Sequence, residues 1–228
     1  MHHVVSCFPK LFARLISLRK QPNFEKILYL KSVNKGDVVF DVGANCGYFT
    51  TLFSKLVSFY GEVHAFEPVP ETYSLLSKNT LKMNNVRPNN LAIGESRGKA
   101  IISYDLNDSE KATLIHSSTS KEKHAEVNVI SLDDYVQENN IRKIDFVKCD
   151  VEGFELNALK GMKKTLALHV PQLSIEVTLK DHQKLELINL LENLGYNKFR
   201  KIDRGFPYYE PKKETEQKED YFYLHATS

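Results

Sequence analysis

Residues 37–50 read Asp37-Val38-Val39-Phe40-Asp41-Val42-Gly43-Ala44-Asn45-Cys46-Gly47-Tyr48-Phe49-Thr50, and this stretch decides the fold. Its first six residues form a short β-branched apolar run, the pattern of a strand buried on both faces. Gly43 and Gly47 follow at once, and Phe49, Leu52, Phe53, Leu56, Val57 and Tyr60 then recur at helical spacing until Gly61 stops the helix. Outward from this unit the alternation repeats. Residues 62–66 read as a second strand, and Pro68 and Pro70 lead into a helix whose apolar face is Tyr73, Leu75, Leu76 and Leu81. Residues 90–93, 101–104 and 127–130 are the next expected strands, with 107–124 as an exposed loop or hairpin tip. Residues 144–149 and 173–177 are strands, followed by helices marked by Leu156, Leu159 and Met162 and by Leu185, Ile188, Leu191 and Leu194, the latter closed by Gly195. Residues 196–202 and 221–225 read as two final strands. Strand and helix alternating at this spacing predict a parallel sheet covered on both faces.

The composition bounds what such a fold does. The chain has 228 residues, with 31 basic against 29 acidic side chains and a net charge of +2, which leaves no global field for a nucleic-acid backbone. Hydrophobic residues make up 42%, enough for a full core. No stretch approaches the ~18 apolar residues of a membrane span. Cys7, Cys46 and Cys149 are too few and too scattered for a disulfide framework or a four-ligand zinc site, which points to a reducing, cytoplasmic setting. Residues 1–33 are read as an N-terminal helical extension, its apolar stripe being Phe8, Leu11, Phe12, Leu15 and Ile16, and 34–228 as the main domain. Met1-His2-His3 is given no functional weight, and Pro9 interrupts what a signal peptide would need.

A glycine-rich turn between a first strand and a first helix lets a cofactor lie against bare backbone near the helix N-terminus. The spacing here is Gly-x-x-x-Gly, which is neither the nicotinamide fingerprint nor a phosphate loop. Asp41 stands two residues ahead of Gly43. A carboxylate there repels a pyrophosphate but suits the cationic sulfonium cofactor S-adenosylmethionine. Glu67 ends the second strand 20 residues beyond Gly47, where an acid bonds ribose hydroxyls in nucleotide folds. A second constellation, Lys148-Cys149-Asp150-Val151-Glu152-Gly153-Phe154-Glu155, puts Asp150 and Glu152 at a strand's carboxyl end, with Glu176 near another. Glu155 falls in the first helical turn, where an acid caps the helix.

Together with Ala65-Phe66-Glu67-Pro68, Asn90-Leu91-Ala92-Ile93-Gly94, Ser131-Leu132-Asp133-Asp134 and Ile144-Asp145-Phe146-Val147, these motifs make the chain, over roughly residues 36–178, resemble the FkbM family of methyltransferases. The resemblance implies a class I methyltransferase fold, Rossmann-like, with a mostly parallel seven-stranded sheet, helices on both faces and the N-terminal helical extension added. It implies S-adenosylmethionine as methyl donor and a hydroxyl on a sugar, glycan or related natural product as acceptor. Matched to the motifs, the cofactor contacts fall on Asp41, Gly43, Ala44, Asn45, Gly47, Phe49, Thr50, Glu67, Pro68, Asn90, Ala92 and Asp150. Cys149 departs from the apolar residue more usual before the acid and is read as a small buried side chain.

Transfer of a methyl group to a hydroxyl needs the acceptor oxygen aligned and its proton removed. Asp150, Glu152 and Glu176 are the candidate catalytic residues. Either Glu152 or Asp150 serves as base, or the three hold a divalent ion that acidifies the hydroxyl. His169 and His182 are weaker candidates, and His64 reads as a buried strand histidine. Rival readings are a non-catalytic adenosylmethionine-binding module, or a methyltransferase acting on protein or another small molecule. No Asn/Asp-Pro-Pro-Tyr/Phe signature and no basic stripe for RNA are present. Partners are then a small-molecule or glycan acceptor, without nucleic acid or integral membrane contact; an oligomer is left open. The connection between the last two strands carries Arg204, Phe206, Tyr208 and Tyr209 before a Lys/Glu-rich piece, and residues 204–209 are expected to contact the acceptor.

Overall fold

The computed structural model describes residues 9, 10, 13, 23–105, 108–113, 123–201, 208–209 and 222–227. Helix α1 (Phe24–Ser32) opens on Asn23, whose side chain accepts from the Lys26 amide at 2.6 Å. Strand β1 (Val38–Val42) then leads through the glycine turn into α2 (Tyr48–Val57). This helix is shorter than its periodicity suggested: Ser58–Tyr60 tighten into a 3₁₀ turn and Tyr60 is exposed. Strand β2 (Glu62–Phe66) is followed by α3 (Pro70–Thr80), with Pro70 in its first turn. Leu76 is buried on α3, whereas Leu75 and Leu81 face solvent.

The stretch read as one strand over residues 90–93 divides differently. The third strand of the large sheet is β3 (Val86–Asn89), and only Ala92–Ile93 pair, as β4, in a second sheet. Pro88 hid β3 from the pattern, and β3 tolerates it because it is an edge strand. The second sheet has the order β4-β7-β5-β6, with β5 (Gly98–Asp105), β6 (Asp108–Thr113) and β7 (Lys123–Ile130). The expected loop over 107–124 is therefore corrected in part, since β6 and the start of β7 lie within it. Residues 106–107 and 114–122 lie outside the described residues.

Ser131 caps α4 (Leu132–Glu138) by accepting from the Asp134 amide at 3.0 Å, and Asp133 caps α6 (Lys163–His169) by accepting from Lys164 and Thr165. The alternation resumes with β8 (Phe146–Cys149), α5 (Glu155–Lys160), α6, β9 (Gln172–Val177) and α7 (Asp181–Asn193). On α7 the buried residues are Leu187, Ile188 and Leu191, while Leu185 is exposed. Strands β10 (Lys198–Lys201), β11 (Tyr208–Tyr209) and β12 (Phe222–Thr227) complete the large sheet.

That sheet has eight strands in the order β11-β10-β12-β9-β8-β1-β2-β3, one more than expected. The addition, β11, is a two-residue edge strand too short to carry a periodic pattern. From β9 to β3 the strands are parallel, and β12 is antiparallel to both β9 and β10. Strand order reverses between β1 and β8, so the loops after these two strands flank the crevice where ligands bind in open α/β sheets.

Alternation along the strands assigns the two faces. Phe40, Val42, Val147, Cys149, Leu173 and Ile175 pack into the core beneath α4–α7. Val39, Val63 and Phe146 pack with α1 and α2 on the other face, together with Ala13. Of the expected N-terminal stripe, Phe8, Leu11, Phe12, Leu15 and Ile16 lie outside the described residues, as do Arg204 and Phe206 of the expected acceptor loop. No helix of the described residues is long and apolar enough to cross a membrane.

Candidate active site

A cavity of about 450 Å³ opens at the crevice, with walls from the loops after β1, β2 and β8, from the end of β9, from the second sheet and from α1. Gly43 is in the left-handed region at φ +80°, and a Cβ there would lie 1.7 Å from the Asp150 carbonyl oxygen. The two loops thus touch backbone to backbone. They are tied further by the Asp150 amide donating to the Val42 carbonyl at 3.0 Å, while the Gly43 and Ala44 amides tie the glycine turn to the end of β2 by donating to the Phe66 carbonyl. Asn45 (φ 49°) and Gly47 (φ 91°) finish the turn into α2.

Glu67 is buried at the end of β2, and backbone amides hold both of its carboxylate oxygens. Oε2 accepts from Asn45 at 2.9 Å and Oε1 from Val69 at 3.0 Å. Burial pushes its carboxyl up to about 7, against the pull of those amides. The Asn90 side chain donates to the carbonyls of Glu67 and Pro68 at 2.9 Å each, fixing the segment that carries the acid.

The second polar centre runs across the sheet. Asp41, Lys148 and Ser174 are register partners on β1, β8 and β9, so alternation places all three on the α1–α2 face. Lys148 is almost wholly buried, with Nζ 2.7 Å from Asp150 Oδ2, 4.0 Å from Asp41 Oδ1 and 5.4 Å from the centre of the Phe49 ring. Burial works against its charge, but Asp150, Asp41 and Glu25 outweigh burial and raise its pKa, so it remains an ammonium. Thr50 Oγ1 donates to Asp41 Oδ2 at 2.6 Å. Beside Lys148, Asp150 and Glu176 share a hydrogen bond, and carboxylate oxygens of Asp150, Glu152 and Glu176 lie within 4.8 Å of one another. Burial, the bond to Asp150 and the neighbouring charges raise Glu176 well above the usual carboxylate range. Burial pushes Asp150 the same way but is overcome by Lys148 and by the Glu176 bond, which lower it. The opposite shifts make Glu176 the member of the pair that takes up a proton first.

Of the residues singled out from the sequence, Gly43, Ala44, Asn45, Phe49, Glu67, Pro68, Ala92, Asp150, Glu152 and Glu176 line the cavity. Asp41, Gly47, Thr50 and Asn90 are not among its lining residues. Cys149 is fully buried in the core beneath α4–α7, the small buried side chain expected, and burial pushes its thiol up. His64 is buried, its Nδ1 2.9 Å from the Tyr135 hydroxyl. Neither His169 nor His182 lines the cavity.

Sequence reasoning gave no role to Lys148, although the motif containing it was noted, nor to Asn23 and Glu25 of the α1 segment or to Ile102 of the second sheet. All four line the cavity. Among the described lining residues Lys148 is the one Lys or Arg, against the acids Glu25, Glu67, Asp150, Glu152 and Glu176. That donor set suits a cationic ligand. The oxygens of Asp150, Glu152 and Glu176 are also close enough to hold a divalent ion, with Asp150 Oδ2 already accepting from the Lys148 ammonium at 2.7 Å.

Comparison with known proteins places the sequence and the fold. The Methyltransferase FkbM domain family matches residues 41–198. Hexuronic acid methyltransferase AglP of Haloferax volcanii is 33% identical over 154 residues, covering 67% of this chain and 61% of that protein. 31-O-demethyl-FK506 methyltransferase FkbM of Streptomyces tacrolimicus is 27% identical over 191 residues, covering 71% of this chain and 73% of that protein. The crystal structure of Methyltransferase FkbM from Methylobacillus flagellatus superposes with a TM-score of 0.56 at 15% identity, over 98% of this chain and 60% of that one. The fold is that of the class I methyltransferases, and the chain belongs to the FkbM methyltransferase family.

Proposed function

We propose that this FkbM-family chain transfers a methyl group from S-adenosylmethionine to a hydroxyl of a sugar, glycan or related natural product. The observation that carries the reading is one continuous cavity lined by both the glycine turn with Glu67 and the Asp150–Glu152–Glu176 cluster. AglP, whose name specifies hexuronic acid methylation, supports a sugar acceptor. Glu67, the Gly43–Gly47 turn and the wall at Pro68, Ala92 and Ile102 hold the cofactor. When bound, S-adenosylmethionine supplies a methyl carbon activated by positive sulfur.

The protein's own part is orientation and proton removal. Lys148 keeps Asp150 ionised, and Asp150 accepts a hydrogen bond from the acceptor hydroxyl. A carboxylate oxygen of Glu152, on the same rim, takes the hydroxyl proton as the oxygen attacks. Glu176 keeps its proton and orients Asp150. No step requires a metal. The test is a screen with methyl-labelled S-adenosylmethionine against sugars, nucleotide-sugars and lipid-linked glycans. Label stable to base in a sugar ether supports the reading. Transfer only to amines or to protein overturns it.

A further inference from the structure

The walls of the cavity divide by chemistry along the strand order. Toward β2 and the second sheet lie Glu67, Pro68, Ala92, Ile93 and Ile102, a carboxylate set in an apolar wall. Toward β8 lie Asn23, Glu25, Tyr48, Phe49 and Lys148. Strand β1 stands between β2 and β8, so the two ends are two strand spacings apart, roughly 10 Å.

Helix α1 brings Glu25 there by a specific docking. The Tyr29 ring is wholly buried against Phe49, Phe53 and Phe146, with centroids 5.0, 5.0 and 5.5 Å away. Its hydroxyl lies 3.2 Å from Ser174 Oγ and donates to Glu25 Oε1. Ser174 is the register partner of Lys148, so the contact that seats the helix also sets Glu25 near the buried ammonium. Resting on the S-adenosylmethionine reading above, we propose that Glu25 and Lys148 form the subsite for the amino-acid end of the cofactor. Glu25 receives the α-ammonium. Lys148 has three N–H donors, one directed at Asp150 and the ammonium 4.0 Å from Asp41 Oδ1, and it donates to the α-carboxylate. Helix α1 is then part of the cofactor site, not of the acceptor site.

The test uses the full chain and two probes in calorimetry. S-adenosylhomocysteine carries the amino-acid end; 5′-methylthioadenosine shares the nucleoside and sulfur but lacks it. Glu25→Gln retains an oxygen for the Tyr29 hydroxyl while removing the charge. The expected result is at least a tenfold loss of affinity for S-adenosylhomocysteine, with 5′-methylthioadenosine unchanged within twofold. Equal affinity of wild type and variant for S-adenosylhomocysteine overturns the proposal. So does a parallel loss for both probes, which marks Glu25 as a structural residue of α1. Failure of wild type to bind either probe overturns the methyl-transfer reading itself, and the subsite with it.

Discussion

Gly43 meets the carbonyl of Asp150 so closely that a Cβ on Gly43 would lie 1.7 Å from that oxygen. The contact joins the loop that carries the cofactor turn to the loop that carries the acids, and glycine is what the contact permits. Its φ of +80° adds a second demand, since other residues pay about 1–2 kcal/mol in that region. Gly43→Ala must push the two loops apart. It is expected to destabilise the fold by about 3 kcal/mol or more, a fall in melting temperature of roughly 6–12 °C for a chain of this size. Thermal unfolding measures it. A variant melting with wild type would show that the loops separate without cost.

Glu67 gives a pH dependence whose sign follows from its environment. Its folded pKa, about 7, lies above the ordinary 4.5, so its contribution to the stability of the ligand-free fold is present below pH 4.5 and is lost as pH rises through 7. The difference is about 3 kcal/mol. Ribose hydroxyls, by contrast, donate to the ionised form. If the bound carboxylate stays ionised, affinity for S-adenosylhomocysteine falls about tenfold between pH 8 and pH 6. Glu67→Gln should flatten that profile and cost about 1.5–3 kcal/mol at pH 8. A wild-type affinity independent of pH across this range would place the ribose elsewhere.

Lys148 is the buried counter-charge of both Asp150 and Asp41. Lys148→Met fills similar space but strands two carboxylates, and breaking a buried pair in this way costs about 3–5 kcal/mol. The double variant Lys148→Met/Asp150→Asn removes one stranded charge and should recover part of that loss in urea denaturation. Equal stability of the single and double variants would show that Asp150 does not depend on this ammonium.

These relationships divide by how local they are. The β1 run, the glycine turn, Glu67 and the Asp150–Gly153 loop were legible because each is written in a few consecutive residues with a distinctive spacing. Lys148 was not, because its meaning comes from register: it faces Asp41 on one side and Ser174 on the other only once β8 is inserted between β1 and β9. Glu25 depends on the docking of a helix through Tyr29, more than a hundred residues away from Ser174 in the chain. Ile102 sits in a sheet whose strands mix charged and apolar residues too irregularly for a clear period, and β3 was masked by Pro88. The sequence thus displayed the chemistry at the ends of the strands but, Asp41 aside, not the polar row beneath it.

The acid cluster yields the sharpest test because its three members are not equivalent. Glu176, raised by burial and by its bond to Asp150, is the member of the pair that takes up a proton first, so Glu176→Gln replaces that acid by an amide of the same shape that still donates to Asp150. Turnover should stay within about tenfold of wild type. Asp150→Asn removes the carboxylate that Lys148 holds ionised, and Glu152→Gln removes the base; each should lower turnover by about 10²–10⁴ with S-adenosylhomocysteine affinity retained in Glu152→Gln. A metal reading predicts another ranking. If Asp150, Glu152 and Glu176 held a divalent ion, all three substitutions would cost comparable activity, chelator would abolish it and added magnesium or manganese would restore it. With the Lys148 ammonium already 2.7 Å from Asp150 Oδ2, the expected result is turnover unaffected by chelator and a mild Glu176→Gln variant. Initial rates with labelled S-adenosylmethionine, before and after chelation, decide between the two rankings.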